Sequence, residues 1–333
     1  MAGPTLRAAG HAVVGLDTDL FRGCEFGDPA AEIAGIQKDI RDLTKADLAG
    51  FEAVVHLAAL SNDPLGNLDP DLTHEINHRA TIRMAQHAKE AGVRRFVFSS
   101  SCSAYGAAGD AVHDEAAPLA PVTAYAKSKV LCERELATMA DQNFSPVFLR
   151  NATAYGVSPR LRLDLVLNDL VASAYTTGKV LIKSDGTPWR PLVHVRDITA
   201  AILSVLEAPR TAVHNQTFNV GKTEENYRIS ELASIVEDTV PGCRVEYAAG
   251  GGPDKRCYRI DCRKILRVLP GFQPNWNARK GVEELYEAYK SIGLTSDQCR
   301  RYVRIEHIQN LMEVQALDNT LRWTRQASHV VVG

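Results

Sequence analysis

Short apolar segments rich in β-branched residues alternate with longer amphipathic segments through the first half of the chain. This alternation predicts βα units arranged around a parallel sheet. The predicted strands cover residues 11–17, 52–59, 94–100 and 145–153, and the predicted helices cover residues 75–92 and 124–142. The fold class is therefore α/β, with a doubly wound parallel sheet.

The pattern changes after about residue 155, where short strands and helices follow one another without the earlier rhythm. Helices are predicted near residues 164–177 and 197–208, and strands at 179–185, 191–195 and 218–221. This mixture predicts a smaller α+β domain that follows the first one. Residues after about 324 are typical of a frayed tail.

Composition and charge exclude several classes of protein. The 333 residues contain 38 Lys and Arg against 40 Asp and Glu, a formal charge of −2, so nothing favours nucleic-acid binding. No apolar run reaches the ~20 residues of a membrane helix, and the first residues do not show the pattern of a secretory signal. The seven cysteines form no C-x-x-C pair. We therefore expect reduced thiols in a cytoplasmic protein, with no metal site and no membrane or nucleic-acid partner.

Tyr125 and Lys129 lie four residues apart in a predicted helix, so their side chains share one face. A tyrosine hydroxyl with its ordinary pKa near ~10 is a weak base at neutral pH, and a neighbouring ammonium group favours its deprotonated form. The Y-x-x-x-K spacing thus predicts an acid–base pair. The same spacing is also common in helices without a catalytic role, so its meaning depends on the rest of the sequence.

Further candidate residues stand where predicted strands end. Ser99, Ser100 and Ser101 close the strand of residues 94–100 at the edge where doubly wound sheets bind ligands. Asp17 ends the first predicted strand, where a carboxylate can accept hydrogen bonds from both hydroxyls of an adenosine ribose. The small residues of HLAA, at 56–59, permit the close approach of a dinucleotide. Each of these features alone is equally typical of a loop, a helix cap or packing.

Asp17, HLAA, Asn77 with Thr81, SSSCSAYG and YAKSK stand in an order that resembles the extended short-chain dehydrogenase/reductases. More narrowly, the chain resembles the NAD-dependent nucleotide-sugar epimerase/dehydratase family, from about Leu6 to at least residue 290. The resemblance implies a Rossmann-type NAD-binding domain over residues 1–155, completed by about 192–215. It implies a nucleotide-sugar-binding domain over 156–191 and 216–324, with 325–333 as a tail, and a homodimer.

The resemblance assigns a catalytic group of three residues. Tyr125 would be the acid–base, Lys129 would lower its pKa and bind the cofactor ribose, and Ser101 would orient the sugar oxygen. The cofactor would be NAD, because the Asp17 carboxylate repels the 2′-phosphate of NADP. The residues expected to contact the cofactor are Asp17, Asp39, Ile40, Leu57, Ala58, Ala59, Asn77, Tyr125 and Lys129.

The substrate implied by the resemblance is a nucleotide-diphosphate sugar. Arg190, in GTPWRPLVHVRDI, matches the family's arginine at the diphosphate, and a guanidinium suits paired phosphate oxygens. Arg256 is a candidate for a second phosphate contact, although it could equally be an ordinary surface arginine that binds no ligand. Arg190 and Asn168 argue against a reductase of hydrophobic alcohols. The expected substrate contacts are Ser101, Ser103, Thr153, Asn168, Arg190 and Arg256.

One motif of the family is missing from the sequence. The glycine-rich dinucleotide fingerprint should stand about 20 residues before Asp17, which falls before Met1, so the first strand and its glycine loop are expected to be absent. GGGPD at 250–254 lies in the substrate half and cannot replace that loop. Two explanations stay open: a start codon placed too far downstream, with about 25–30 further residues, or a truncated form that binds NAD or folds poorly.

The residues after Ser101 predict the type of reaction. Family dehydratases carry an acidic pair there, and sugar-acid decarboxylases carry a glutamate at the second position, whereas this chain has Cys102 and Ser103. Thr153 and Pro191 also depart from the family pattern. The leading hypothesis is an NAD-dependent 4-epimerase that acts through a bound 4-keto sugar. The alternatives are an NAD(P)H-dependent 4-ketoreductase or a dehydratase of the same family, and an inactive Rossmann-type ligand-binding or regulatory protein.

Overall fold

The computed structural model describes residues 1–27, 33–249 and 256–324. The strands are β1 (Gly15–Asp17), β2 (Gly35–Gln37), β3 (Ala53–His56), β4 (Arg95–Ser101), β5 (Ala107–His113), β6 (Ser145–Asn151), β7 (Thr153–Tyr155), β8 (Lys179–Ile182), β9 (Trp189–His194), β10 (Gln216–Val220), β11 (Asn226–Arg228), β12 (Arg244–Tyr247) and β13 (Cys257–Ile260). The helices are α1 (Ala2–Ala8), α2 (Asp63–Gly66), α3 (Pro70–His74), α4 (Ala80–Glu90), α5 (Ala124–Thr138), α6 (Val166–Thr177), α7 (Val195–Glu207), α8 (Arg210–Val213), α9 (Ile229–Thr239), α10 (Arg263–Val268), α11 (Ala278–Ile292), α12 (Ser296–Cys299) and α13 (Arg304–Glu313).

A parallel sheet in the order β10–β6–β4–β3 forms the centre of the first domain. Its strands are apolar on both faces because helices cover both sides. Phe96 and Phe98 of β4 point towards α4 and α5, while Val97 of the same strand packs against α7. The predicted α/β fold with a doubly wound parallel sheet is confirmed.

β1 and β2 form a separate two-stranded parallel sheet, and β3 is an edge strand of the main sheet. Val54 and Val55 of β3 are only partly buried, as side chains of an edge strand often are. The predicted strand of residues 11–17 is thus shorter in the structure, where it begins at Gly15. The first element of the described residues is α1, which packs against α7.

The strand β10 lies in the main sheet, paired in parallel with β6. This pairing corrects the predicted division, which assigned residues from 216 onwards to the sugar-nucleotide domain. The physical reason is that Phe218 and Val220 are completely buried against strands and helices of the first domain. The remaining division into two domains stays a prediction.

A second apolar core lies among α6, β8, α9 and α11. Leu167, Val180, Leu232 and Leu285, one from each of these elements, are completely buried in it. The sheet β11–β9–β7 borders this core, and the pair β13–β5 joins the two halves of the chain. The mixed pattern after residue 155 therefore does produce an α+β arrangement.

The helix predicted for residues 75–92 is interrupted in its first part. Residues Glu75–Arg79 form a π-helical segment, α4 follows, and the backbone reverses at Gly92, which has a φ of +87°. Glycine adopts this left-handed conformation without a Cβ clash. The wider turn contains Asn77, whose side chain is buried, and π-helical turns are frequent at functional sites.

Residues 304–324, the C-terminal arm, return from the second half of the chain to the first. Ile308 and Leu311 of the arm pack with Ile40 and Leu65. Polar contacts reinforce this packing: the Trp323 Nε1–H donates to the Thr18 carbonyl at 2.7 Å, and Arg322 Nη1 lies 2.5 Å from an oxygen of Asp42. The arm thereby fixes the segments that follow β1 and β2. Among the described residues, no helix is long and apolar enough to cross a membrane.

We expect the substitution Ile308→Ala to lower the free energy of unfolding by about 2–5 kcal/mol, because it leaves a cavity in the cluster that joins the arm to the first domain. Gln309→Ala changes an exposed side chain of the same helix and should leave that free energy within about 0.5 kcal/mol of the original. Urea unfolding of both variants measures the difference. Equal midpoints would contradict the assigned packing of the arm.

Candidate active site

The first turn of α5 presents the predicted tyrosine at the carboxyl edge of the main sheet. The Thr123 hydroxyl caps this helix by accepting a hydrogen bond from the Ala126 N–H at 3.2 Å. Tyr125 follows two residues later, and Lys129 lies one turn further along the same face. Ser101, at the end of β4, lies close enough to the Tyr125 phenol to lower its pKa. The structure therefore brings the three predicted catalytic residues together.

A buried ion pair fixes α5 against the sheet. Arg150 of β6 contacts Glu133 of α5, with Nη2 and Oε2 separated by 2.6 Å and both side chains less than a tenth exposed. Ser100 of β4 donates a hydrogen bond to the same carboxylate. Arg150 also donates to the Tyr105 hydroxyl at 3.1 Å. Because these bonds join α5, β4 and β6, they set the position of α5 relative to the strand that ends at the serines.

Lys129 is buried beneath the site, with an exposed fraction of 3%. Its ammonium donates to the Ser99 carbonyl at 2.7 Å and lies 4.6 Å from the centre of the Phe98 ring. Burial lowers the pKa of Lys129 to about 8, because the charged form loses its hydration. The ammonium nitrogen is 5.8 Å from the centre of the Tyr125 ring.

Burial raises the pKa of Tyr125, and four nearby groups modify that rise. Ser101 and the positive charge of Arg162 lower the pKa, whereas the negative charge of Asp63 and the neighbouring Cys102 raise it. The sequence assigned the lowering to Lys129. In the structure Ser101 and Arg162 favour the phenolate, and the same role for Lys129 stays a prediction.

The residues predicted to hold the cofactor divide into two groups, and the first lies at open strand ends. Asp17 is exposed at the end of β1, and its Oδ1 accepts from the Asp19 N–H at 2.7 Å. Leu57, directly after β3, is 48% exposed, and Ala58 and Ala59 are partly buried. These positions are accessible to a dinucleotide.

The second group is already engaged within the fold. Asn77 is buried and bonds to both the N–H and the carbonyl of Leu60, at 2.7 and 3.1 Å, so it supports the turn after β3. Asp39 is paired with Arg41, with 2.6 Å between Oδ2 and Nη2. Ile40 is 7% exposed in the cluster that contains the arm. Their direct contact with the cofactor stays a prediction.

The predicted substrate residues from the second half approach the site from the opposite side. Arg190 is buried, and its Nη1 donates to the carbonyls of Trp189, at 2.8 Å, and Arg256. The Arg256 side chain reaches Asp63, with 2.6 Å between Nη1 and Oδ2. The structure therefore groups both predicted phosphate-binding arginines.

The other predicted substrate residues have different positions. Ser103 donates to the Ser101 hydroxyl at 2.9 Å, so it joins the catalytic group. Asn168 is buried; its Oδ1 accepts from the Gly156 N–H at 3.0 Å, and its Nδ2 donates to the Arg162 carbonyl at 2.9 Å. Asn168 thus positions the loop that carries Arg162. Thr153 lies in β7, where it pairs with β9, and its contact with a phosphate stays a prediction.

Three charged residues of the site were missed by the sequence reasoning. Arg162 and Asp164 form an ion pair, with 3.0 Å between Nε and Oδ1, and Asp63 begins α2. Asn62 and Ser61, in the turn before Asp63, hydrogen-bond to this ion pair. Two signals could have found them: the helix start N-D-P that follows the strand end HLAA, and the charged run R-L-R-L-D before α6.

The residues at this edge fit two parts of NAD. The exposed Asp17 carboxylate suits the adenosine ribose, and Tyr125 and Lys129 suit the nicotinamide ribose. The glycine run G-x-x-G-x-x-G that would serve the pyrophosphate does not occur in the sequence, and GGGPD at 250–254 lies outside the described residues. Within those residues, no group of three or more His, Cys, Asp or Glu side chains could hold a metal ion.

Known proteins are similar to this chain in sequence and in fold. The UDP-glucose 4-epimerase of Mycolicibacterium smegmatis is 29% identical over 302 residues, which cover 86% of this chain and 93% of that protein. The human dTDP-D-glucose 4,6-dehydratase is 24% identical over 248 residues, 72% of this chain and 69% of that protein. The solved structure of MoeE5 with UDP-glucuronic acid and NAD is 28% identical, with a TM-score of 0.73 over 87% of this chain and 94% of that one.

A sequence profile of the NAD dependent epimerase/dehydratase family matches residues 4–221. The match covers well over half of the chain and contains Ser101, Tyr125 and Lys129, and it agrees with the doubly wound fold and with the relatives. NAD is accordingly the cofactor of this enzyme family, as the sequence motifs predicted. The chain therefore belongs to the NAD dependent epimerase/dehydratase family.

Proposed function

We propose that this protein is an NAD-dependent nucleotide-diphosphate-sugar 4-epimerase that acts through a bound 4-keto sugar. The observation that carries the proposal is the grouping of Tyr125 and Lys129 of α5 with Ser101 at the end of β4, while Arg256 is joined to the start of α5 through Asp63. Such a site offers an acid–base beside a diphosphate-binding region. UDP-glucose 4-epimerases among the relatives support the same reading.

The residues of the chain move the proton in this reaction. Bound NAD would supply the acceptor and the donor of the hydride at the sugar carbon. The Tyr125 phenolate accepts the proton of the C4 hydroxyl, while the Ser101 hydroxyl holds the same oxygen. Tyr125 returns the proton after the 4-keto sugar has presented its other face. Arg162 favours the phenolate, because its positive charge lowers the pKa of Tyr125.

Cys102 supports epimerisation over dehydration, because it stands where family dehydratases have a carboxylate. Its side chain is completely buried, its thiol donates to the Arg150 carbonyl at 3.1 Å, and burial raises its pKa well above the ordinary value. Such a thiol cannot exchange protons with a bound sugar. A dehydratase remains the second candidate because Asp63 places a carboxylate in the site from another element.

A panel of UDP- and dTDP-hexoses, incubated with NAD and analysed by NMR, tests the proposal. We expect the 4-epimer to form without net production of NADH. Formation of a dehydrated 4-keto sugar would identify a dehydratase, and turnover only with a keto sugar and NADH would identify a ketoreductase. Absence of turnover together with absence of NAD binding would favour an inactive ligand-binding protein.

We predict that Tyr125→Phe lowers kcat by about 100-fold or more, because the variant lacks the hydroxyl that transfers the proton. Lys127→Ala, an exposed change on the same helix, should leave kcat unchanged and serves as the control. Steady-state rates with the preferred hexose measure both. A Tyr125→Phe variant that keeps more than about a tenth of the rate would contradict the assigned acid–base.

We predict that Asp17→Asn weakens NAD binding by about tenfold, because a charged acceptor for the ribose hydroxyls is lost. The affinity for NADP should not fall, since the repulsion of its 2′-phosphate is also removed. Asp71→Asn, an exposed carboxylate of α3, is the control. Fluorescence titration with both dinucleotides gives the affinities. An equal loss of affinity for NAD and for NADP would contradict the predicted contact between Asp17 and the adenosine ribose.

Lys129 makes stability depend on pH in a defined direction. Its pKa is about 8 in the folded protein and about 10.4 in the unfolded chain. Between these values the unfolded chain binds more protons, so the free energy of unfolding rises with pH. Relative to Lys129→Met, the wild type should therefore gain stability from about pH 8 to about pH 10. Urea unfolding at both pH values measures the gain, and parallel pH curves would refute the burial of a charged lysine.

A further inference from the structure

Asp63 is a carboxylate inside the site that the proposed proton transfer does not use. It is the first residue of α2, and its side chain is 14% exposed. The Thr123 hydroxyl donates to Oδ1 at 2.6 Å, and Arg256 Nη1 donates to Oδ2 at 2.6 Å. Because Thr123 caps the helix that begins beside Tyr125, Asp63 joins the catalytic helix to an arginine from the other half of the chain.

The Arg256 guanidinium contacts this carboxylate, and Arg190 lies next to Arg256. Arg190 donates to the Arg256 carbonyl, which holds the two residues next to one another. The phenol of Tyr258 also lies among these charges: burial raises its pKa, Arg190 and Arg256 lower it, and Asp63 raises it. Among the described residues, Arg190, Arg256 and Asp63 thus lie together at the predicted diphosphate position.

Carboxylate and phosphate oxygens offer a guanidinium the same kind of acceptor. A diphosphate carries more negative charge than Asp63 and can neutralise both arginines. The Arg256 side chain is also 40% exposed, so it can change partners without leaving a buried position. The Asp63 carboxylate therefore accepts from the Arg256 guanidinium as a phosphate oxygen would.

We propose that the ion pair between Asp63 and Arg256, which we call the latch, opens when substrate binds. The diphosphate of the substrate then replaces the Asp63 carboxylate as the partner of the Arg256 guanidinium. The inference rests on the proposed function, since it requires a nucleotide-diphosphate ligand. The released carboxylate keeps its bond from Thr123 and faces the sugar, where it can accept a hydrogen bond from a hydroxyl. Asp63 is thus a positioning residue that makes diphosphate binding compete with an internal ion pair.

Calorimetric titration with UDP and with dTDP tests the latch. Asp63→Asn should bind the nucleotide about three- to tenfold more tightly, because the competing ion pair is lost while the asparagine oxygen can still accept from Thr123. Arg256→Gln should bind it more weakly. In the double variant, Asp63→Asn should have no further effect, because Asp63 acts through Arg256. Asp71→Asn is the matched control, an exposed carboxylate on the next helix.

The outcomes separate the latch from the proposed function. If the wild type binds UDP or dTDP but Asp63→Asn binds with equal or lower affinity, the latch is wrong and the proposed function stands. If Asp63→Asn tightens nucleotide binding as much in the Arg256→Gln background as in the wild type, the proposed exchange of partners is also wrong. Failure of every form to bind either nucleotide would overturn the proposed function, and the latch with it.

The pH dependence of turnover provides a second readout that a merely structural role would not change. The groups that act on the pKa of Tyr125 are its buried surroundings, Ser101, Arg162, Asp63 and Cys102. Removing the negative charge of Asp63 should lower the pKa of Tyr125, so the pH of half-maximal kcat should shift downwards in Asp63→Asn. An unchanged pH profile would show that Asp63 does not face the reacting phenol.

Discussion

The buried ion pair between Glu133 and Arg150 is the interaction on which the site depends. Neither charge has access to bulk water, so each requires the other, and removing one partner of such a pair typically costs about 3–5 kcal/mol. The pair extends through Tyr105 to Asn219 of β10, whose Oδ1 accepts from the tyrosine hydroxyl at 2.7 Å. The strands and the catalytic helix therefore share one polar network. This network in the core therefore determines how the residues of the site are positioned relative to one another.

Much of this fold could be predicted from the sequence because its signals are local. Buried parallel strands are apolar on both faces, and the helices between them show their own period, so the βα alternation was readable without any contact information. The spacing of Tyr125 and Lys129 fixes a shared helix face, and Ser101 lies at the carboxyl end of a parallel strand, where doubly wound sheets bind ligands. These rules require no knowledge of distant partners.

The remaining features depend on residues that are far apart along the chain. Asp63 and Arg256 are 193 positions apart, and no periodicity relates them. The lowered pKa of Lys129 follows from its burial, which only the packed structure shows. The packing of the arm against Ile40 also depends on residues that are distant in sequence. The domain of β10 was predicted incorrectly because its short apolar run does not indicate which strand it pairs with. The sequence thus predicts candidate reacting groups but not the residues that surround them.

The C-terminal arm also affects how the protein folds. His307 bonds to the Leu20 carbonyl across 287 positions, and Trp323 bonds to Thr18 across 305. Contacts between residues so far apart in the sequence form slowly, because a long loop must close before they contribute any stability. The apolar side chains around Ile40 consequently stay accessible until the arm docks. During synthesis this edge of the first domain is therefore exposed to association with other chains until the arm has been made.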